Sequence, residues 1–167
     1  MKQSLLHRLA SQPDALNHLL FGLTEQQIRQ RPPSGKWSIF ENIAHLGRYQ
    51  EIFVDRLHRI NSEEAPLFNR YVADEDPGFS GWTQLSVDEL LERLRGERAT
   101  LNAFLSILPE EQLLRVGQHP ASGMMTVEGW TELFLLHEAH HFFTVLQLGG
   151  ALRTADQPMG LYPLPAQ

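Results

Sequence analysis

The stretch Trp37-Ser38-Ile39-Phe40-Glu41-Asn42-Ile43-Ala44-His45 decides the fold of this 167-residue chain. Ser38 and Glu41 form an S-x-x-E capping box, in which each side chain accepts a hydrogen bond from the other residue's backbone N–H. Apolar residues then recur at helical spacing, at Ile39, Phe40, Ile43, Leu46, Phe53, Val54 and Leu57. The stretch therefore predicts a long helix over residues 38–61 with one apolar face.

Three further segments have the same helical periodicity, and no segment of comparable length alternates with the period of two of a half-buried strand. Pro13 is expected to bend the first of these helices or to begin its second half. Gly149 and Gly150 are expected to end the last one, because glycine is common just past a helix C-terminus. The predicted helices cover residues 3–21, 86–108 and 126–149.

Four helices of about twenty residues, each with one apolar face, bury those faces together in a four-helix bundle. We therefore expect an all-α protein with up-down-up-down topology and one domain over residues 1–167. The connection between the second and third helices, residues 62–85, is longer than a structureless loop usually is. Its aromatic and acidic side chains leave two alternatives, which are a lid over one mouth of the bundle and a surface crossover that covers the core.

The composition excludes several classes of function. The net charge is −6 and no run of Lys or Arg occurs, so no nucleic-acid partner is expected. The chain has no cysteine, so any thiol chemistry needs a thiol supplied from outside. No stretch approaches the roughly 18 apolar residues of a membrane span, and residues 1–30 lack the features of a signal peptide. We therefore expect a cytoplasmic protein that does not bind a membrane.

Eight histidines are the notable feature of the composition. His137 and His141 are four residues apart and so lie on one face of the fourth predicted helix. That face is apolar, and a divalent metal would satisfy imidazoles that otherwise have no partner there. In an antiparallel bundle the third ligand comes from another helix, and His45 is the candidate. His140 is expected beside the pair or exposed, and ordinary surface or loop positions are expected for His7, His18, His58 and His119.

The segment His137-Glu138-Ala139-His140-His141 also matches H-E-x-x-H, in which two histidines bind zinc and the glutamate is the general base of a metalloprotease. The residues after His141 contain neither the Gly-His extension of metzincins nor a glutamate that would complete the ligand set. Peptidases also bind peptides along a strand edge, and no such strand is predicted. The peptidase is therefore the weaker interpretation.

The run Trp37-Ser38-x-x-Glu41-x-x-x-His45, followed by His137-x-x-x-His141, resembles the DinB/YfiT-like superfamily of metal-dependent bundle proteins over essentially the whole chain. The resemblance implies that the three histidines of these motifs bind a divalent metal, commonly zinc or nickel, often in a homodimer. The characterised members of this superfamily imply that the protein is a transferase or isomerase that uses a low-molecular-weight thiol. Many relatives carry Arg-Gly-Gln after the second histidine of the pair, where this chain has Phe142-Phe143-Thr144.

Three imidazoles leave at least one coordination position of the metal open, as in catalytic sites. Such an ion can activate water for hydrolysis or hold an exogenous thiol as the thiolate. Because the resemblance favours the thiol, we expect a thiol-dependent S-transferase, or a related transferase or isomerase, acting on a small electrophilic substrate. A non-enzymatic, stress-related metal-binding bundle and a metal-dependent hydrolase are the alternatives.

Five side chains near the predicted ligands are candidates for orienting the ligating rings, moving protons or contacting the substrate. Glu41 is equally explained by the capping box, and Arg48 and Glu138 by positions on the surface. The candidates are Glu41, Arg48, Tyr49, Glu138 and Thr144.

Overall fold

A computed structural model describes residues 1–153. Within them the chain forms four long helical units, several short helices and one small β-hairpin. The helices are α1 (Gln3–Ser11), α2 (Ala15–Leu20), α3 (Glu25–Arg29), α4 (Ile39–Ser62), α5 (Phe79–Thr83), α6 (Val87–Ile107), α7 (Glu110–Leu113) and α8 (Val127–Leu152). The strands are β1 (Val116–His119) and β2 (Gly123–Thr126). The predicted four-helix bundle is confirmed, with α1–α2, α4, α6 and α8 as its four members.

Side-chain caps define where the long helices begin. The Ser38 hydroxyl accepts from the Glu41 N–H at 3.1 Å, and the Glu41 carboxylate accepts from the Ser38 N–H at 2.8 Å. A second complete capping box joins Ser86 and Glu89 at the start of α6. Both boxes satisfy N–H groups that have no partner within the helix. The predicted starts of α4 and α6 are therefore confirmed.

The first and last helices differ in detail from their predicted limits. A 3-10 turn, Gln12–Asp14, contains Pro13 and separates α1 from α2, as the expected bend requires. The prediction that Gly149 and Gly150 end the last helix is wrong, because α8 continues to Leu152. A Cβ at Gly149 would lie 3.5 Å from the carbonyl oxygen of Leu19 in α2 and closer still to Arg153. Gly149 therefore lies inside the helix, beside α2, and does not stop the helix.

The helix α4 is central to the packing. It contacts both α6 and α8, and the α1–α2 unit contacts α6 through α1 and α8 through α2. Two clusters of buried apolar side chains form the core, and α4 contributes to both, with Phe53 and Leu57 in one and Ile39 and Ile43 in the other. None of the helices in residues 1–153 combines the length and the apolar composition needed to cross a membrane.

The long connection between α4 and α6 packs against α4. Phe68 and Trp82 are buried in the core, as predicted for a surface crossover that covers it. A Cβ on Gly47 would overlap the ring of Trp82, so α4 needs glycine at this contact. The Arg48 guanidinium pairs with Asp76 at 2.5 Å and ties the connection to the same helix. Other residues of the connection reach the candidate site described below.

A β-hairpin before α8 was not predicted. Strands β1 and β2 pair antiparallel from Val116 opposite Thr126 to His119 opposite Gly123. Four-residue strands are too short to produce a recognisable alternation in the sequence. The Nδ1 atom of His119 accepts from the backbone N–H groups of Ala121 and Ser122 in the turn. His119 is therefore a structural part of the hairpin and not an ordinary loop histidine.

Candidate metal centre

Two helices of the bundle bring three histidines together. Helix α4 carries His45, and α8 carries His137 and His141 one turn apart. One potential ligand atom from each ring lies within 4.8 Å of those of the other two. The Nε2 atoms of His45 and His137 are 3.1 Å apart. Two nitrogens bound to one zinc at ~2.0–2.1 Å are at most about 4.2 Å apart, so this pair has a spacing that fits a shared ion.

The hydrogen bonds of the three rings leave nitrogen atoms available. The Nδ1 atoms of His45 and His137 are buried and have no hydrogen-bond partner among residues 1–153. An ion bound through Nε2 leaves Nδ1 of the same ring to carry the proton of the neutral imidazole. A divalent cation accepts imidazole nitrogen as a ligand, and tris-imidazole sites bind several metals of the first transition series. The residues present therefore fit such a cation.

Burial keeps these imidazoles neutral. It lowers the pKa of His45 to about 4, against a smaller opposing effect of Asp74. Burial and then the neighbouring imidazoles lower the pKa of His137 to about 3 and that of His141 to about 3. A histidine must be neutral to bind a metal. At neutral pH all three rings are thus in the form that can act as a ligand.

Asn42 orients His141, a role that the sequence pattern does not predict. The Asn42 amide Nδ2 donates to the carbonyl oxygen of Ser38 at 2.8 Å, which turns its Oδ1 toward His141. That oxygen lies 2.9 Å from His141 Nδ1 and accepts a hydrogen bond from its N–H. Because Nδ1 carries the proton, Nε2 of His141 keeps its lone pair for an ion. The available signal was an uncharged polar residue on the buried face of a predicted helix.

The three histidines line a cavity of about 660 Å³. The rings of Trp37 and Tyr71 lie 5.1 and 5.7 Å from that of His45, and the Tyr49 ring lies 4.1 Å from that of His137. The connection between α4 and α6 contributes Tyr71 and Asp74 to the wall, so it does reach over this part of the bundle. Cavities of 300–1,000 Å³ with apolar walls and a few polar groups are typical of small-molecule sites.

Among the other predicted site residues, Tyr49 lies in the cavity and Glu138 does not. The Glu138 carboxylate is buried on the other side of α8, where Arg98 donates to it at 2.5 Å and Gln12 at 2.9 Å. The prediction that Glu138 assists the metal ligands is wrong, because consecutive helical residues point about 100° apart. The H-E-x-x-H interpretation fails for the same reason, since its glutamate cannot reach a substrate.

The remaining candidates contact other partners. Glu41 caps α4 and pairs with Arg31, so the bundle uses it for structure. Arg48 pairs with Glu51 as well as with Asp76, and it therefore fixes the connection and is not free to meet a substrate. The Thr144 hydroxyl donates to the backbone carbonyl of His140 at 3.2 Å. None of these three side chains forms a hydrogen bond with a ligand ring in the described part of the chain, and their predicted roles at the site are not supported.

The other histidines keep the predicted arrangement with one exception. His140 is exposed, with its ring 5.4 Å from that of His141. Exposed positions also hold His7, His18 and His58. His119 is the exception, because it lines the same cavity as the triad of His45, His137 and His141, and its ring lies 5.4 Å from that of Trp130.

Fold and site together define a helical bundle with a three-histidine cluster in a cavity. Residues 8–145 match the DinB superfamily, and the chain belongs to this superfamily. The predicted resemblance is therefore confirmed.

Two individual proteins from Bacillus subtilis are similar to the chain. The uncharacterized protein YuaE of strain 168 is 27% identical over an alignment 136 positions long, which covers 73% of this chain and 83% of YuaE. The solved structure of YfiT superposes with a TM-score of 0.72 at 20% identity and covers 91% of this chain and 90% of YfiT. YfiT is described as "a probable metal-dependent hydrolase with an unusual four-helix bundle topology". At this identity the similarity to YfiT establishes the fold.

Proposed function

We propose that this protein is a metal-dependent enzyme in which His45, His137 and His141 bind one divalent cation, zinc or nickel, and that it joins a low-molecular-weight thiol to a small electrophilic substrate. The observation that carries the proposal is the convergence of three neutral imidazoles on the wall of a cavity of about 660 Å³. Within residues 1–153 the cluster has no fourth histidine or carboxylate. A purely structural site is closed by a fourth protein ligand, whereas a catalytic site keeps a position open.

The residues of this chain hold the site in a fixed arrangement. Asn42 fixes the ring of His141, and the aromatic rings of Trp37, Tyr49 and Tyr71 cover the other two imidazoles. Side chains held in this way pre-organise a ligand set. A bound divalent cation supplies Lewis acidity, which favours the anionic form of a ligand in its open position.

Two carboxylates close in the chain to the proposed metal ligands are already paired, which favours a thiol over water as the reacting ligand. Glu138 is paired with Arg98, and Glu41 is paired with Arg31, so neither is available as a general base for water. A thiol, with a free pKa of about 8.5, needs far less help than water to lose its proton. The absence of cysteine from the chain agrees with a thiol supplied as a cosubstrate.

A metal-dependent hydrolase is the second candidate, and the description of YfiT supports it. In this alternative the Asp74 carboxylate on the cavity wall is the general base that accepts a proton from water. The two candidates use the same metal ligands and differ in whether a thiol is consumed.

The test uses untagged full-length protein loaded separately with zinc and with nickel. Thiol consumption is followed with 1-chloro-2,4-dinitrobenzene and a panel of low-molecular-weight thiols, and hydrolysis is followed with 4-nitrophenyl acetate without thiol. We expect metal-dependent thiol conjugation that is lost in His137→Ala and retained in His7→Ala, whose side chain is exposed on α1. Metal-dependent ester hydrolysis without thiol conjugation would establish the hydrolase instead. Metal-loaded protein inactive in both assays would contradict both candidates.

A further inference from the structure

Arg56 is a buried cation in the cavity wall. It lies on α4, only 6% of its surface is exposed, and it lines the same cavity as the three histidines. In the described part of the chain no carboxylate lies within ion-pair distance of its guanidinium. Burying a charge without a counter-ion is unfavourable, so arginines this deeply buried are normally paired. An unpaired buried guanidinium beside a cavity therefore points to an anion that enters the cavity.

The contacts of Arg56 orient its guanidinium and leave donors free. Its Nη1 donates to the Tyr49 hydroxyl at 3.3 Å, and its Nη2 donates to the backbone carbonyl of Asn69 at 2.9 Å. The rings of Phe68 and Trp130 each lie 5.5 Å from its Cζ and stabilise the guanidinium by cation–π interaction. A guanidinium has five N–H donors, so within residues 1–153 these two hydrogen bonds leave three donors without a protein acceptor.

The charge of the cavity contrasts with that of the whole protein. The chain carries a net charge of −6, whereas the charged side chains of residues 1–153 on the cavity wall are Arg56, Arg70 and Asp74, with a net charge of +1. Field lines are concentrated in a cavity with apolar walls, so a local positive charge there attracts an anion. Tyr49 contacts both Arg56 and the histidine cluster. Its hydroxyl accepts a hydrogen bond from Arg56, and its ring lies 4.1 Å from that of His137.

We propose that Arg56 determines substrate specificity by binding a carboxylate, and that the substrate is a small carboxylate with an apolar or aromatic body. The body would lie along Tyr49 between Arg56 and the triad. A planar guanidinium matches the two oxygens of a carboxylate, and such charge-assisted hydrogen bonds are stronger than neutral ones. The inference deepens the proposed function and rests on it for the identity of the reacting site. Arg56 acts in binding, at a distance from the reacting atoms.

The experiment measures binding to full-length, metal-free protein, so that a carboxylate cannot bind through a metal. Phenylacetate and its neutral isostere phenylacetamide are titrated by calorimetry or by ligand-observed NMR. We expect the wild type to bind phenylacetate at least about tenfold more tightly, as a charge-assisted hydrogen bond to a buried guanidinium implies. The preference should disappear in Arg56→Met and be reduced in Arg56→Lys, which keeps the charge and loses the planar fork.

Two other arginines supply the controls. Arg59→Met changes a guanidinium on the same helix that pairs with Glu63, and it should keep the full preference. Arg70→Met changes the exposed arginine of the cavity wall and should have a smaller effect than Arg56→Met. Circular dichroism and urea unfolding establish that each variant folds. If Arg56→Met does not fold, the wild-type preference and the Arg56→Lys comparison carry the test.

The outcomes separate this inference from the proposed function. Equal binding of the two compounds by the wild type, or a preference abolished by Arg70→Met and kept in Arg56→Met, would overturn it. Inorganic phosphate that binds more tightly than phenylacetate would overturn the assignment of a carboxylate. Zinc binding is measured separately on the same variants, and Arg56→Met should bind zinc as the wild type does. A carboxylate preference in a protein that binds no metal would support Arg56 and contradict the proposed enzyme.

Discussion

The Nε2 atoms of His45 and His137 lie 3.1 Å apart, although 92 positions separate the two residues in the chain. The Nδ1 atom of each ring is buried and has no hydrogen-bond partner in the described part of the chain. A buried polar atom without a partner costs about 1–3 kcal/mol. This contact joins α4 to α8, so an ion shared by the two rings would link the helices and stabilise the bundle.

Metal binding should therefore raise the melting temperature. At a metal concentration a thousand times the dissociation constant, the added free energy of unfolding is about 4 kcal/mol. For a domain of this size about 1 kcal/mol corresponds to 2–4 °C, so zinc or nickel should raise the melting temperature by on the order of ten degrees. Calorimetry with and without chelator measures the shift. The melting temperature of His137→Ala should not change when chelator is added.

The control for this prediction is His7→Ala, because His7 is exposed on α1. It should show the wild-type response. His119→Ala is unsuitable as a control, since His119 accepts two hydrogen bonds within the hairpin turn and lines the cavity. Wild type and His137→Ala that melt together, with and without chelator, would contradict a stabilising ion.

The metal-free protein should lose stability as the pH falls below about 6.5. Burial lowers the pKa of His45 to about 4 and those of His137 and His141 to about 3, so between these values and ~6.5 the unfolded chain binds protons that the folded chain does not. Stability therefore rises with pH in this range and is fully present above it. The three imidazoles together contribute a slope of up to about 4 kcal/mol per pH unit.

Urea unfolding in chelator at pH 7.5, 6 and 5 measures this slope. His137→Gln should reduce it by roughly one proton, or about 1.4 kcal/mol per pH unit, because one buried imidazole is removed. His7→Gln should leave it unchanged, and the carboxylates contribute equally to all three proteins. Identical slopes for the wild type and His137→Gln would show that the ring of His137 titrates normally in the folded state.

Asn42→Leu should weaken metal binding about 10- to 100-fold, the usual effect of removing a residue that orients a metal ligand. The substitution removes the oxygen that accepts from Nδ1 of His141 and keeps a buried side chain of similar size. Asn42→Asp retains the acceptor and should bind metal at least as tightly as the wild type. Competition with a chromophoric chelator measures the affinity. Equal affinities for the leucine and aspartate variants would contradict the orienting role.

Glu138→Gln should destabilise the protein by about 3–5 kcal/mol without changing its metal affinity, because it leaves the buried Arg98 guanidinium without its charge partner. Glu132 lies on the same helix as Glu138 and forms an exposed ion pair with Arg8 of α1. Glu132→Gln removes that pair and should cost no more than about 1 kcal/mol. Urea unfolding compares the two. A Glu138→Gln protein of normal stability and weakened metal binding would restore this glutamate to the metal site.

The helices and their caps could be predicted because they depend on residues close together in the chain. Ser38 and Glu41 are three positions apart, and His137 and His141 are four apart, so the geometry of one helix places each pair together. The same local rules did not identify the end of α8. Gly149 packs against α2, and nothing near it in the sequence specifies that contact.

The sequence by itself determined four long helices and a pair of histidines on one face of the last. Only the tertiary structure decided that His45 meets that pair, that Asn42 orients one of its rings, and that Arg56 lies in the cavity without a counter-ion from residues 1–153. It also decided that Glu138 faces Arg98, because a neighbouring helix places the guanidinium on that side of α8. Helical periodicity defines which side chains share a face, whereas the partners of that face depend on how distant segments pack together.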